Sequence, residues 1–436
     1  MRRQLTLAPP LACAVTIREG HCTPVIFFWT RLPAAQTLIT TPCPANIAIV
    51  RRANCVRSAR RTYLFWWCAR SQSASQFTLE GSFIILNFDS DCFARYVHTK
   101  AIKRLESFRV NFAASPDQQR KILLPLSHGL SSTTLLHILD LHLNTQRSKT
   151  NRTGFAISVL VVDEGALDSA RLDKVRERYA NHEYASLPLH HVFRLLPDDA
   201  SLRALLPVSQ NWEMPSTQEQ LTALIASLTS ATARADVLTT LRTRLIVEYA
   251  KQTGCESILW GDSTTRLAEK TLAETAKGRG FSLPWQISDG KSPFDINFHY
   301  PLRDVLKKEL FSYVDLAEPA LSALVYEPIS GATQASMSSK NTTIDDLMKQ
   351  YFESVEENFP SIVSNVVRTT GKLEMPAGAT SNPRCSLCGM PVPDGRFGIH
   401  GWGGDQHDGA NDAAAVSGGS LCYGCTRSIP QRVASR

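Results

Sequence analysis

The sequence predicts an α/β fold, in which a doubly wound parallel sheet is followed by a small C-terminal zinc ribbon. Three observations lead to this prediction. Short apolar runs alternate with amphipathic segments between residues 121 and 275. Loops of small and polar residues follow these runs. Two Cys-x-x-Cys pairs stand close to the C-terminus.

The apolar runs have the length of buried strands, and the segments between them have the spacing of helices. Gly254 is a natural stop for one of these helices. The predicted strands are 121–126, 155–162 and 257–260. The predicted helices are 96–108, 133–143, 170–179, 237–251 and 266–275, and residues 344–367 are helical with an interruption at Pro360.

Changes in composition divide the chain into four regions. We expect a leader at 1–86, an α/β domain at 87–330, a linker with a helical segment at 331–384, and a zinc ribbon with a flexible insertion at 385–436. The length of 436 residues and the 43% apolar content allow two or three domains with a sizeable core.

The leader differs in kind from the rest of the chain. Residues 1–86 hold no lysine, ten arginines, and only Glu19 and Glu80 as acidic residues. They show no sustained period, and their apolar runs are too short to span a bilayer, so we expect no membrane segment. We interpret the leader as disordered or mispredicted. A mitochondrial targeting leader is the alternative, although Pro9 and Pro10 interrupt its helix.

The formal net charge of +7 comes mostly from that leader. Of the 47 basic and 40 acidic residues in the chain, 37 and 38 lie beyond residue 86. The body of the protein is therefore close to neutral, and its overall charge does not predict a polyanionic partner.

The paired cysteines predict a structural zinc site. Cys385 and Cys388 form one knuckle, and Cys422 and Cys425 form a second after 33 intervening residues. Four thiolates complete a tetrahedron around zinc and leave no position for substrate. A redox pair, an iron–sulfur cluster and an accidental grouping are the alternatives. His400 and His407 lie in the insertion between the knuckles as spare ligands.

The loops after the predicted strands should gather at the carboxyl edge of the sheet, where ligands of such folds bind. The loop 127–132 is the nucleotide candidate, because small residues that open a helix expose backbone N–H groups to phosphate. It resembles the Ser-Gly-Gly-x-Asp-Ser loop of ATP pyrophosphatases through Ser127, Gly129 and Ser132. His128 replaces a glycine and Ser131 replaces the aspartate. An ordinary turn before a helix is the alternative.

A second candidate surface lies further along the chain. The basic residues of 266–279 are the most concentrated basic patch in the body, and we expect them to contact an RNA backbone, with a solvated helix face as the alternative. They are Arg266, Lys270, Lys277 and Arg279.

Several other residues invite a functional interpretation that we set against a structural one. Cys255 is a candidate sulfur carrier, but a buried structural thiol is the favoured interpretation. Asp163 and Asp262 stand at strand ends, where ribose, metal or tRNA contact competes with helix capping. His137 and His142 are interpreted as structural, because a spacing of five does not align them as ligands.

Several short strings occur together in a fixed order before the paired knuckles. They are Asp91-Cys92-Phe93-Ala94-Arg95-Tyr96-Val97-His98-Thr99-Lys100, the loop 127–132, Leu259-Trp260-Gly261-Asp262-Ser263, Thr265-Arg266-Leu267-Ala268, Lys277-Gly278-Arg279-Gly280 and Tyr300-Pro301-Leu302-Arg303-Asp304. The combination resembles the cytoplasmic tRNA 2-thiolation protein 2 family over residues 88 to 430. The resemblance implies that 87–330 is an α/β domain of the ATP-pyrophosphatase type.

The resemblance also implies a partner and a reaction. It implies a heterodimer with a catalytic paralogue that adenylates uridine 34 of lysine, glutamate and glutamine tRNAs and accepts sulfur from a thiocarboxylated ubiquitin-like carrier. Zinc is then structural, and ATP binds the partner more readily than this chain. The implied location is the cytoplasm, or the mitochondrion if the leader is genuine.

The chain departs from the family pattern at two places. The loop lacks the aspartate at Ser131, and Asp89 occupies the first position of the family's Cys-x-x-Cys-Phe, of which Cys92 and Phe93 remain. A second zinc site near the N-terminus is therefore in doubt. Two other functions stay open: a stand-alone tRNA-adenylating sulfurtransferase, and a zinc-containing scaffold or RNA-binding protein without a role in adenylation.

Overall fold

The structure is a computed structural model that describes only part of the chain. The described residues are 90–110, 119–165, 169–196, 216–326, 342–375, 378–399, 401 and 421–429. The predicted leader 1–86, most of the linker before Thr343, and most of the insertion between the knuckles, with His400 and His407, lie outside them. The described residues from Ala94 onward belong to one compact unit.

Among the described residues, six strands form one sheet in the order β3-β2-β1-β4-β6-β5. Four neighbouring pairs are parallel, and only the short β5 runs antiparallel to β6. The sheet confirms the predicted doubly wound α/β class. The strands are β1 (Lys121–Pro125), β2 (Ala156–Asp163), β3 (Glu183–Pro188), β4 (Ser257–Leu259), β5 (Gly290–Lys291) and β6 (Asn297–His299).

Helices connect the parallel strands and continue after β6 to the cysteine pairs. Those before β4 are α1 (Ser90–Lys103), α2 (Leu130–Thr150), α3 (Ser169–Arg178), α4 (Val192–Leu195), α5 (Thr217–Ala226) and α6 (Ala231–Gln252). Those after β4 are α7 (Thr264–Ala276), α8 (Leu283–Ile287), α9 (Lys307–Leu316), α10 (Ile344–Asn358), α11 (Pro360–Thr370) and α12 (Tyr423–Ser428).

Every predicted strand and helix has a counterpart, with boundaries displaced by up to seven residues. The interruption at Pro360 separates α10 from α11, because proline occupies the first turn of the second helix. The strands β3, β5 and β6 were not predicted. The last two span only two and three residues, and β3 is a partly exposed edge strand, so none carries a strong apolar signal.

The direction of winding reverses between β1 and β4, which makes that gap the switch point where such sheets bind ligands. The backbones approach closely there, since a Cβ on Gly261 would lie 2.8 Å from Cα of Ser132. The loop 127–132 and the residues after β4 are therefore adjacent, as the sequence predicted.

The hydrophobic core runs from the sheet into the cysteine region without a break. One buried cluster contains Leu241 of α6 and Ile258 of β4 together with Leu387, Val392 and the four paired cysteines. Helix α12 packs against α6. Within the described part of the chain, no helix is both long and apolar enough to cross a membrane.

Candidate metal centre and nucleotide loop

The four paired cysteines come together in one buried cluster. The ligand atoms of Cys385, Cys388, Cys422 and Cys425 all lie within 4.8 Å of one another. The first knuckle is a tight turn, closed by a hydrogen bond from the Gly389 N–H to the Cys385 carbonyl at 2.9 Å. Gly389 has φ +69°, which favours glycine. The second knuckle opens α12, with Cys422 as the N-cap.

The spacing of the sulfurs fits a single metal ion. With Zn–S bonds of about 2.3 Å, a tetrahedron places its sulfurs about 3.8 Å apart. A cubane cluster would hold the same sulfurs farther apart, because its irons and sulfides lie between them. The burial of all four ligands leaves no open coordination position. The cluster therefore has the donor set and the compactness of a closed structural zinc site.

The four thiols also influence one another's protonation. Hydrogen bonds from Cys388, and then from Cys422 and Cys425, hold the pKa of Cys385 well below its usual range, and the donating thiols have raised pKa values. The Cys422 N–H also donates to Cys385 Sγ at 3.3 Å. The cluster thus stabilises one thiolate by itself, and a divalent cation would replace the remaining protons.

The predicted basic patch does not form one surface. Lys277 and Arg279 are internal, with side-chain exposures of 7% and 4%, and both pair with Asp236 and Glu274. The expectation that they contact RNA is corrected for these two residues, because their charges pair with carboxylates inside the protein. Arg266 is half exposed and pairs with Glu269. Lys270 lies one turn further along the same face of α7.

The buried pairs are ionised despite their burial. Burial opposes the charge of Asp236, but the guanidinium of Arg279 outweighs it and lowers the pKa of that carboxyl. Burial likewise opposes the charge of Lys277, and Glu274 with Asp236 nevertheless raises its pKa. Sequence reasoning missed Asp236 and Glu274, because a lone acidic residue on a helix gives no sign that it will meet a buried arginine.

The loop after β1 bonds mainly to itself. Ser127 Oγ lies 3.0 Å from Ser132 Oγ and accepts from the Gly129 N–H at 3.4 Å. Ser132 Oγ donates to the Gly129 carbonyl at 3.2 Å. The N–H of Tyr326 donates to the carbonyl of His128 at 2.6 Å. Ser127, Gly129 and Ser132 are thus brought together, but each already has a partner inside the loop.

His128 explains why a glycine would suit that position better. Its φ is 58°, in the left-handed region that residues other than glycine adopt at a cost. Its side chain is buried, and a glycine at this position would have none. The loop therefore differs from the Ser-Gly-Gly-x-Asp-Ser pattern in its backbone cost at His128 as well as in its side chains.

The remaining candidates have structural surroundings. Cys255 is buried, and burial raises the pKa of its thiol, which favours a structural role over sulfur transfer. Asp163 Oδ1 accepts from the Gly165 N–H at 2.7 Å and so closes a turn. The cap of α7 is Ser263, so Asp262 does not have the capping role considered for it. His137 Nδ1 lies 3.1 Å from the Tyr179 hydroxyl within the core.

Comparison with known proteins is consistent with this architecture. Residues 343–397, which run from α10 to the first cysteine knuckle, match the family model described as cytoplasmic tRNA 2-thiolation protein 2. A protein of that name from Phaeosphaeria nodorum is 95% identical over 342 residues, which are 78% of this chain and 90% of the relative. A namesake from Pyrenophora tritici-repentis is 66% identical over 79% of this chain and 90% of its own length.

The chain belongs to the cytoplasmic tRNA 2-thiolation protein 2 family. The family resemblance predicted from the sequence is thereby confirmed. Among solved structures, the U34-tRNA thiolase NcsA from Methanococcus maripaludis with its [4Fe-4S] cluster aligns with a TM-score of 0.44 at 16% identity, over 71% of this chain and 87% of that one. As a member of the 2-thiolation protein 2 family, the chain has a role in tRNA 2-thiolation.

Proposed function

We propose that this chain is the non-adenylating subunit of the complex that 2-thiolates wobble uridine 34 of cytoplasmic lysine, glutamate and glutamine tRNAs. In this proposal a catalytic paralogue forms the other half of a heterodimer. The paralogue adenylates the uridine and accepts sulfur from a thiocarboxylated ubiquitin-like carrier. The location in the cytoplasm follows the name of the family.

The observation that carries the division of labour is the self-bonded loop after β1. Adenylation requires a loop that holds the phosphates of ATP while the C2 oxygen of uridine attacks the α-phosphate and pyrophosphate leaves. Here Ser127 Oγ accepts from the Gly129 N–H, and the residue between them, His128, has a buried side chain where the ATP-pyrophosphatase loop has a glycine. A carboxylate that would contact magnesium is replaced by Ser131.

In this proposal the chain helps to bind the tRNA and does not catalyse its adenylation. Arg266 and Lys270 lie on one face of α7, and α7 begins directly after the switch-point residues that follow β4. Phosphate contacts from such residues position an RNA without reading its bases. We therefore retain Arg266 and Lys270 as candidates for tRNA contact. The zinc has the structural role of holding the cysteine knuckles on the α/β core.

Reconstitution separates this function from its alternatives. The purified chain, the paralogue, ATP and substrate tRNA are combined and also assayed separately for pyrophosphate release, tRNA binding and thiolated uridine. The proposal requires that this chain alone releases no pyrophosphate and that thiolation needs both proteins. Pyrophosphate release by this chain alone would identify a stand-alone enzyme. Full adenylation and thiolation by the paralogue alone would leave only a scaffold role.

A further inference from the structure

Arg279 has a hydrogen-bond acceptor for each of its five N–H groups. Two groups donate to Glu274, from Nε at 2.7 Å and from Nη2 at 3.1 Å. Two others donate to Asp236, one of them from Nη1 at 2.8 Å. The fifth, on Nη1, points to Cys425 Sγ at 3.9 Å. The guanidinium fork is thus fully used, and its last donor faces a sulfur of the metal centre.

Two helices fix the guanidinium in that orientation. Asp236 stands on α6 and Glu274 stands on α7, so the bidentate pairs hold both edges of the plane. Asp236 also accepts from Ser428 Oγ of α12 at 2.6 Å. Lys277 Nζ reaches Asp236 at 3.2 Å and Asp345 at 3.1 Å. The ion pairs and the hydrogen bond from Ser428 therefore join α6, α7, α10 and α12 around one buried arginine.

The backbone brings the second knuckle onto this arginine. A Cβ on Gly424 would lie 2.6 Å from Arg279 Cγ and 2.6 Å from the Lys277 carbonyl oxygen. Gly278, with φ +79°, lies against the ring of Tyr423, where a Cβ would overlap the ring. The second knuckle thus packs directly against residues 277–280. Gly424 on the knuckle and Gly278 opposite it permit this close approach, because neither has a Cβ.

The charge of the metal centre requires a partner of this kind. Four thiolates around one Zn²⁺ carry a net charge of −2 in a site from which water is excluded. At the first knuckle Arg244 Nη1 donates to the carbonyls of Ser386 and Leu387, at 3.0 Å and 3.2 Å. At the second knuckle the Arg279 guanidinium approaches Cys425 Sγ.

We propose that Arg279 is a positioning residue of the metal centre, which directs its fifth N–H at Cys425 and withdraws charge from that thiolate. Such outer partners orient ligands and set how strongly they bind the metal. The two carboxylates keep the guanidinium at a fixed distance from the sulfur. One residue of the predicted basic patch, Arg279, therefore acts on the metal centre rather than on RNA. This inference does not depend on the proposed division of labour, because it concerns only the metal centre.

A lysine could not replace Arg279 fully. It would retain a positive charge, but an ammonium is a single point with three donors and cannot hold two carboxylates bidentately while facing a sulfur. Arg279→Met would keep an apolar stem against Gly424 and would remove both the charge and the N–H. Arg266→Met is the matched control, because Arg266 lies on α7, the helix that precedes Arg279, and its half-exposed guanidinium pairs with Glu269 rather than with Asp236 or Glu274.

The test measures the metal centre in the full chain. Zinc affinity is determined by competition with a chromophoric chelator, and zinc release is timed after addition of an alkylating agent. The Co²⁺-substituted chain reports the thiolate-to-metal charge-transfer bands. We expect Arg279→Met to weaken zinc binding by roughly 10- to 100-fold. We also expect it to speed zinc release and to move the charge-transfer bands to lower energy, with Arg279→Lys intermediate and Arg266→Met unchanged.

Each result decides the question. Zinc affinity, release rate and Co²⁺ bands of Arg279→Met equal to those of the wild type would overturn the proposal, as would equal changes in Arg266→Met. If Arg279→Met does not fold with zinc present, Arg279→Lys is the deciding variant. Shifted Co²⁺ bands in a folded Arg279→Lys chain support the proposal. Wild-type bands in that chain, or its failure to fold with zinc, would show that Arg279 serves only as a core ion pair.

Discussion

Replacing Cys422 by serine should destabilise the whole α/β unit, not only the knuckles. A zinc ribbon that folded as a separate module would unfold locally and leave the α/β domain intact. The structure argues against a separate module, because the cysteines and their neighbours belong to the same buried cluster as the sheet. Leu387, Met390, Val392 and Ile429 are all buried in that shared core.

The expected loss of stability follows from the burial of those four side chains. Each apolar side chain of this size contributes about 1.5–3 kcal/mol when buried, so the four contribute about 6–12 kcal/mol together. Whole domains are stable by only about 5–15 kcal/mol. Loss of half of the contact would cost about 3–6 kcal/mol, and at about 2–4 °C per kcal/mol the Tm should fall by at least about 6 °C.

The assay is thermal unfolding with metal analysis, on the wild type and on Cys422→Ser, with and without a chelator. Cys255→Ser is the matched control, because Cys255 is a buried cysteine of the same core that lies outside the metal cluster. We expect the wild type to contain about one zinc per chain and to lose stability with chelator. Cys422→Ser should be zinc-poor, less stable and insensitive to chelator, whereas Cys255→Ser should keep its zinc.

The reasoning is refuted if Cys422→Ser unfolds in two separate transitions, with the larger at the wild-type Tm. That outcome would mean that the knuckles are an independent module after all. Iron in the wild-type chain, or ordered knuckles without any metal, would refute the zinc assignment itself.

Three further predictions concern the loop, the surface and the core. Ser127→Ala with Gly129→Ala should change pyrophosphate release by the reconstituted heterodimer less than about twofold, because the loop already bonds to itself; a large loss would place ATP here. Arg266→Gln with Lys270→Gln should weaken tRNA binding by the heterodimer and reduce its salt dependence, whereas unchanged binding would remove them as contacts. Burial lowers the pKa of His137 from 6.5 to about 4, so stability is fully present above about pH 6.5 and is lost as the pH falls toward 4. Chemical denaturation should show that His137→Phe reduces this loss by roughly 2–3 kcal/mol, and an unchanged pH profile would contradict the stated burial.

The sequence by itself determined the class of fold and the four cysteines that the structure brings together. Apolar runs of strand length alternate with segments whose apolar residues have the spacing of a helix. This alternation is a local property of the sequence and can be recognised without knowing which residues are in contact. Cys385, Cys388, Cys422 and Cys425 were identified for a similar reason, since a Cys-x-x-Cys turn brings two sulfurs to one ion within four residues. The loop at 127–132 was also found, because its small residues stand directly before a helix.

The tertiary structure alone decided what surrounds those features. Lys277 and Arg279 look like a surface patch in the sequence, because a charge says nothing about burial. Their interior position depends on Asp236, which lies 43 residues before Arg279 along the chain and is brought to it by the packing of α6 against the second knuckle. The union of the zinc knuckles with the α/β core has the same origin. Burial and ion pairing depend on contacts between residues that are far apart in the sequence. The free energy of these contacts is therefore determined only by the folded structure.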